Sequence, residues 1–358
     1  MAANGERSSA GPSFGSLALF AGSFALVTLA LRALLPHGGA RELADAKVEC
    51  FARERDAYTL VFAGSSRVHR GFVPEVFDAR TAAAGVPTRS FNFGAPGSRA
   101  FEIERLLERV GELAPARLDF VLVDPEGIAL LRDERNALAR QVIEWHDPAA
   151  TLRLSRWIAD AGLPYSQLWT ALAPHWKSCA YNVFNIGRSQ RLVDAALGEW
   201  RTDEIERELV GPRLDGYAPL GDESEELGRR GQRFQKRRER YLAQLEDYKA
   251  LRIGEGQADA FALEMYREIR ARIEELGARA VFVTQPALYL QEDLIKAAEA
   301  GEIPLLLRFD DAERFAELYA PERRYDETHL NDEGARLFTE ALADEFVARV
   351  KRGELAPR

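Results

Sequence analysis

The spacing of hydrophobic positions changes several times along the chain, and each change marks a different kind of segment. From Phe14 to Leu31 there is no charged residue, and with Arg32-Ala33-Leu34-Leu35 the apolar stretch comes close to the ~20 residues that cross a bilayer as a helix. It also lacks the polar face expected of a helix lying on a soluble core. Pro36 to Ala46 then reads as a short linker and Lys47 to Asp56 as a charged helical lead-in. Thr59–Ala63, Arg89–Phe93 and Asp119–Val123 are short, apolar and rich in strand formers, the pattern of buried strands. Between the second and third of these, Phe101, Ile103, Leu106, Leu107, Val110 and Leu113 recur at helical spacing behind Ser98, a candidate N-cap. From Leu131 to about Ala258 the strand rhythm gives way to Trp- and Arg-rich stretches broken by prolines, which reads as a helical insertion or cap. Alternation then resumes. Phe261, Met265, Ile269, Ile273 and Leu276 mark one face of a helix stopped by Gly277, and Ala280–Thr284 reads as a strand. Ile303–Phe309 is a last strand or a buried connector, and Asp332 to Val350 is an amphipathic helix.

This strand–helix–strand order predicts an α/β fold, a parallel sheet flanked by helices. The chain divides into a tail (1–13), a transmembrane anchor (14–35), a linker (36–56), two parts of one α/β domain (57–130 and 258–350), and an insertion between them (131–257). Arg7 and the amino terminus precede the anchor and Arg32 follows it, which places the short end in the cytoplasm and the soluble domain outside it, a single-pass membrane protein. A cleaved signal peptide ending near Gly38-Gly39-Ala40 is the alternative.

The formal net charge of −9 argues against nucleic acid as a partner, because such a face needs a cation excess. One local basic run exists, Arg229, Arg230, Arg233, Lys236, Arg237, Arg238 and Arg240. It is either a solvated helix paired with the acidic cluster Asp222, Glu223, Glu225 and Glu226, or a groove for an anionic polymer or lipid head groups. Cys50 and Cys179 form no metal or redox motif, and a disulfide between them stays open. No metal or nucleotide fingerprint is present, so the sequence calls for no cofactor.

Candidate chemistry sits at two distant places. Gly64-Ser65-Ser66 follows the first strand, and Asp326-x-x-His329-Leu330-Asn331 precedes the last helix. A serine hydroxyl is a weak nucleophile near neutral pH and needs an imidazole within about 2.6–3.2 Å to take its proton. A carboxylate that holds the imidazole tautomer completes the set, and a three-residue offset on a loop lets Asp326 reach the other ring nitrogen of His329. Asn331 is also a candidate cap for the last helix. His69, three residues after Ser66, is a competing base, while His146 and His175 lie in the insertion beside Trp145 and Trp176, as packing or as substrate contacts.

These pieces resemble the SGNH/GDSL-type hydrolases, in particular membrane-anchored members related to bacterial polysaccharide O-acetylation proteins. The resemblance rests on Gly64-Ser65-Ser66-Arg67, Asn92-Phe93-Gly94-Ala95-Pro96-Gly97, the third strand ending in Asp124, and Asp326-x-x-His329-Leu330-Asn331. It covers roughly residues 58–130 and 258–348. It implies a flavodoxin-like fold, Ser66 as nucleophile, His329 as base, Asp326 as orienting acid, and the N–H groups of Ser66 and Gly94 as an oxyanion hole. The asparagine that usually adds a further oxyanion donor is replaced by Asp124-Pro125-Glu126-Gly127. The implied activity is a serine esterase or O-acyltransferase acting on an acyl ester, such as an acylated carbohydrate, with a membrane acyltransferase as a partner. The alternative is a non-catalytic relative that binds glycan or scaffolds such an acyltransferase.

Overall fold

The computed structural model describes residues 13–34, 40–128, 134–186, 210–220 and 225–356. The tail before Ser13, Gly38 and Gly39 of the alternative cleavage site, and the acidic side chains from Asp222 to Glu226 lie outside the described residues and side chains.

Five strands form one sheet: β1 (Leu60–Ala63), β2 (Ser90–Asn92), β3 (Phe120–Val123), β4 (Arg279–Thr284) and β5 (Leu306–Arg308). Their order is β2-β1-β3-β4-β5 and every pairing is parallel. That is the doubly wound flavodoxin-like order, whose direction of winding reverses between β1 and β3; ligands of such sheets meet the carboxyl ends of the strands at that reversal. Side chains alternate between two cores because successive residues of a strand point to opposite faces. Leu60, Phe62, Phe120, Leu122, Val281 and Val283 belong to one core, with Phe77, Phe338 and Phe346 from the helices Pro74–Ala83 and Asp332–Lys351. Val61, Ala63, Val121, Val123, Ala280 and Phe282 belong to the other, with the helices Ala100–Glu112 and Ala260–Glu275. Both faces are covered, which is why the strands read as unbroken apolar runs.

The stretch expected to be a cap is helical but split between the two faces. Pro148–Asp160 and Tyr165–Val183 bring Leu154, Trp157, Ile158 and Ala171 to one core, whereas Glu225–Gln235 and Arg238–Lys249 bring Phe234, Tyr241, Leu245 and Tyr248 to the other. Between them, Asp215 accepts the Asn92 N–H at 2.8 Å and so closes the open edge of β2. The expected linker also differs. Ala40–Ala52 is a helix, with Ala44, Ala46, Lys47 and Phe51 fully buried, so the segment is part of the fold rather than a spacer.

Among the described residues no helix is long and apolar enough to cross a membrane. The helix Phe14–Leu34 comes nearest; it has 21 residues, and its side chains are described only to Ala30.

Candidate active site

The site is built where β1 ends. Gly64 makes the exit turn, and a Cβ there would overlap the side chain of Val68, so the helix that follows can fold back tightly only over a glycine. Ser65 is the N-cap of that helix, Ser66–Gly71, its Oγ accepting from the Arg67 N–H at 3.3 Å. Ser66 is therefore the first helical residue. Its N–H belongs to the opening turn, which has no intrahelical acceptors.

The second part arrives from the other end of the chain. Arg324 and Leu330 form an antiparallel bridge, and the Tyr325 N–H donates to the His329 carbonyl at 3.0 Å, so residues 325–329 are pinched into a closed loop. Asn331 then caps the helix Asp332–Lys351 through the Gly334 N–H at 2.9 Å. Arg324 is buried, donating to the Pro286 carbonyl after β4 and to the Glu327 carbonyl, both at 2.9 Å. It ties the loop to the sheet.

The two parts meet. Ser66 Oγ lies 2.9 Å from His329 Nε2, and His329 Nδ1 lies 3.0 and 3.1 Å from the two oxygens of Asp326. Donation from the hydroxyl to Nε2 places the ring proton on Nδ1, facing the carboxylate. Asp326 Oδ1 also accepts from the N–H groups of Thr328 (2.7 Å) and His329 (2.8 Å) and from the Thr328 hydroxyl (2.9 Å), and Arg230 reaches Oδ2 at 2.7 Å. Burial alone would raise the Asp326 pKa. The His329 ring, the Thr328 N–H and Arg230 outweigh it and hold the acid well below the usual carboxylate range. Asp326 is 2% exposed, so the acid is shielded, whereas Ser66 is half-buried.

Gly94 is placed differently from the expectation. Its N–H donates to Asn92 Oδ1 at 2.8 Å, so the group expected to face a substrate oxygen is already taken. The need for glycine here is steric, since a Cβ would run into the amide of His69. Asp124 is no substitute oxyanion donor either. It is wholly buried and binds Arg67 (3.0 Å), Gln285 (2.7 Å) and Gln291 (2.8 Å). Arg67 also pairs with Glu126 at 3.0 Å, and Glu126 accepts from Ser65 Oγ at 2.6 Å. This network braces the turn on both sides of Ser66, and sequence reading passed over it because its members come from four separate segments.

His69 does not approach Ser66 through a hydrogen bond. It is buried, and its Nδ1 lies 2.8 Å from Lys47 Nζ and 3.1 Å from the Gly216 carbonyl. Burial and the neighbouring Lys47 and Arg70 charges push its pKa well down, keeping the ring neutral. Lys47 also donates to the carbonyls of Asn92, Gly94 and Gly216 at 2.9, 2.6 and 2.7 Å. His146 and His175 are both buried, with His146 Nε2 2.9 Å from His175 Nδ1 and the ring planes nearly parallel, so they meet edge to edge inside the insertion. Cys50 and Cys179 are both buried and form no disulfide with each other, and Cys50 Sγ donates to the Leu214 carbonyl at 3.1 Å.

Two clefts adjoin the site. One of about 540 Å³ is lined by Thr328, Tyr289, Tyr248 and the arginines Arg237 and Arg240, and one of about 210 Å³ by Arg230, Arg233, Phe234, Arg237 and Glu327. No protein-family model and no curated protein matches the chain.

Proposed function

We propose that the chain is a membrane-anchored serine esterase or O-acyltransferase of the SGNH type, acting through Ser66, His329 and Asp326. The observation that carries this reading is the unbroken line from the Ser66 hydroxyl through both nitrogens of His329 to a buried, ionised Asp326. In the first step Ser66 Oγ attacks the acyl carbonyl and its proton passes to His329 Nε2. The resulting imidazolium is stabilised by Asp326. Collapse of the tetrahedral adduct breaks the ester bond, His329 returns the proton to the departing alcohol, and the acyl group stays on Ser66. Water or a second hydroxyl, deprotonated by His329, then takes the acyl group and regenerates the serine. The Ser66 N–H is one donor for the oxyanion, and removal of such a donor typically costs about 2.7–4 kcal/mol.

An acylated carbohydrate is the substrate class, and a membrane acyltransferase the partner, that follow from the family resemblance. Anchoring through residues 14–35 is part of this reading, and on the helix Phe14–Leu34 the side chains of Phe14, Leu19, Phe20 and Leu26 are each more than 70% exposed; the placing of the domain outside the cytoplasm rests on the flanking charges alone. Exposed apolar side chains along a helix suit lipid better than water.

A second reading, a non-catalytic glycan binder or scaffold, is favoured by one observation, the engagement of the Gly94 N–H by Asn92. A fluorophosphonate probe separates the two. The enzyme is labelled at Ser66, and labelling disappears in Ser66→Ala and in His329→Ala; a folded protein that stays unlabelled between pH 6 and 9 is the binder.

A further inference from the structure

We infer that the helix Tyr165–Val183 of the insertion is a second membrane-contacting element, lying in the lipid–water interface beside the helix Phe14–Leu34 and holding the α/β domain against the bilayer rather than at the end of a tether. The inference rests on the reading of Phe14–Leu34 as a membrane anchor and names a further surface that meets the same lipid.

The helix is turned the wrong way for water. Its inward side carries Ala171, Pro174, His175, Ser178, Cys179 and Asn182, which are mostly small or polar. Its exposed side carries Tyr165, Trp169, Ala173, Trp176 and the C-cap Phe184 at helical spacing, and Trp169 and Trp176 are 58% and 43% exposed. A helix resting on a soluble core has the opposite distribution, apolar groups inward and charged groups outward. Asp332–Lys351 shows that pattern, with Glu333, Arg336, Glu340 and Asp344 exposed. Between Ala161 and Ile186, by contrast, Lys177 is the only Asp, Glu, Lys or Arg. Trp169 Nε1 donates to the Tyr165 hydroxyl at 3.1 Å, so the polar tips of the two rings satisfy each other and their carbon faces are left to the surroundings. Tryptophan and tyrosine collect at the head-group level of bilayers, where one side of the ring is apolar and the other wet.

What covers this face follows from where the helix ends. The Phe184 ring lies 5.7 Å, centre to centre, from Phe24 on the helix Phe14–Leu34. Asn185 comes next with φ 52°, a left-handed conformation that asparagine tolerates, and its Nδ2 donates to the Thr28 carbonyl at 2.6 Å. The Thr28 hydroxyl donates to the Phe24 carbonyl at 2.8 Å, so the polar groups at the contact are paired within the protein, as a hydrocarbon surrounding requires. Phe24 lies ten residues before Leu34, about 15 Å along a helix that rises about 1.5 Å per residue, roughly half of the ~30 Å hydrocarbon thickness. The contact is therefore well inside the apolar helix, and lipid that surrounds the one helix also meets the end of the other. A second copy of the chain or a soluble partner would cover the aromatic stripe without accounting for this continuity.

The test places one added cysteine at a time on the full-length protein, labels it with a polarity-sensitive fluorophore and reconstitutes the protein in phosphatidylcholine vesicles. Ala173→Cys reports on the stripe, Leu19→Cys on the apolar helix, and Glu340→Cys on the helix Asp332–Lys351, which covers the opposite face of the sheet. All three positions are exposed, so the substitutions leave the packing intact, and the wild type, with both its cysteines buried, is the blank. The Ala173→Cys label is expected to lose about half or more of its emission to phosphatidylcholine carrying a nitroxide near the top of its acyl chain, and to be shielded from aqueous iodide, while the Glu340→Cys label behaves the opposite way. Iodide access at position 173 without lipid quenching, or equal lipid quenching at positions 173 and 340, overturns the inference. Shielding of position 173 from both quenchers means that protein covers the stripe, and overturns it as well. The Leu19→Cys label reports separately on the anchor: lipid quenching at position 19 without quenching at position 173 sinks this inference alone, and quenching at position 173 without quenching at position 19 sinks only the anchor.

Discussion

One carboxylate oxygen, Asp326 Oδ1, receives two backbone N–H groups and a threonine hydroxyl before His329 Nδ1 is counted. The acid is thus fixed by its own loop and does not depend on the histidine for its position. Asp326→Asn keeps the loop's shape but presents an amide that cannot stabilise an imidazolium. The expected result is a fall in kcat of about 10³–10⁴-fold, measured on a chromogenic acetyl ester, with a lowered melting transition because the ionised carboxylate also holds Arg230 and the loop N–H groups. The residues of this centre were legible because their spacing obeys local chemistry: a serine after a strand-end glycine, and an acid three residues before a histidine. Gly94 was not legible in the same way. Its backbone donor is captured by the side chain of Asn92, two residues away, and sequence shows the glycine but not the direction of its N–H.

At the scale of elements, helix ends depended on side-chain reach. Ser98 was the expected cap of the helix Ala100–Glu112, yet Glu102 turns back to the Arg99 N–H at 2.7 Å and sets the boundary one residue later. The helices of the insertion were recognised as helical, but which face of the sheet each would cover depends on contacts far apart in the chain. One such contact gives a pH prediction. Burial, then the adjacent His175, pushes the His146 pKa down to about 3, while an unfolded histidine titrates near 6.5. Between those values the unfolded chain binds a proton that the folded one refuses, so stability is intact above about pH 6.5 and declines as pH falls toward 3. Urea unfolding at pH 6.5 and pH 5 is expected to show a loss about 2 kcal/mol larger in the wild type than in His146→Gln. Equal losses would show that the pair is not buried neutral.

For the whole molecule, Lys47 is the residue that joins the segment behind the apolar helix to the domain. Burial lowers its pKa well below the usual lysine range, and its nitrogen meets peptide carbonyls from the β2 exit and from the insertion. Lys47→Met has similar length and no charge, but strands those carbonyls. Stability is expected to fall by about 3 kcal/mol or more in urea titration, with the β2 exit, and hence the His69 helix that carries Ser66, losing its brace. A neutral effect would mean that water replaces the ammonium. The parallel sheet and its flanking helices could be read from the order of apolar runs because both faces are buried. The Lys47 clasp could not, since a charged residue in a helix looks solvated until folding places it.

If the β1 exit and the loop before the last helix form one reactive centre, acylation of the serine must depend on the histidine. The most direct test is to incubate the full-length protein with p-nitrophenyl acetate, quench in acid, and locate the acetyl group by peptide mass spectrometry. An acetyl adduct is expected on the peptide containing Ser66, formed in the wild type and absent in His329→Ala. An adduct on another residue, or equal acetylation of Ser66 without the imidazole, would contradict it.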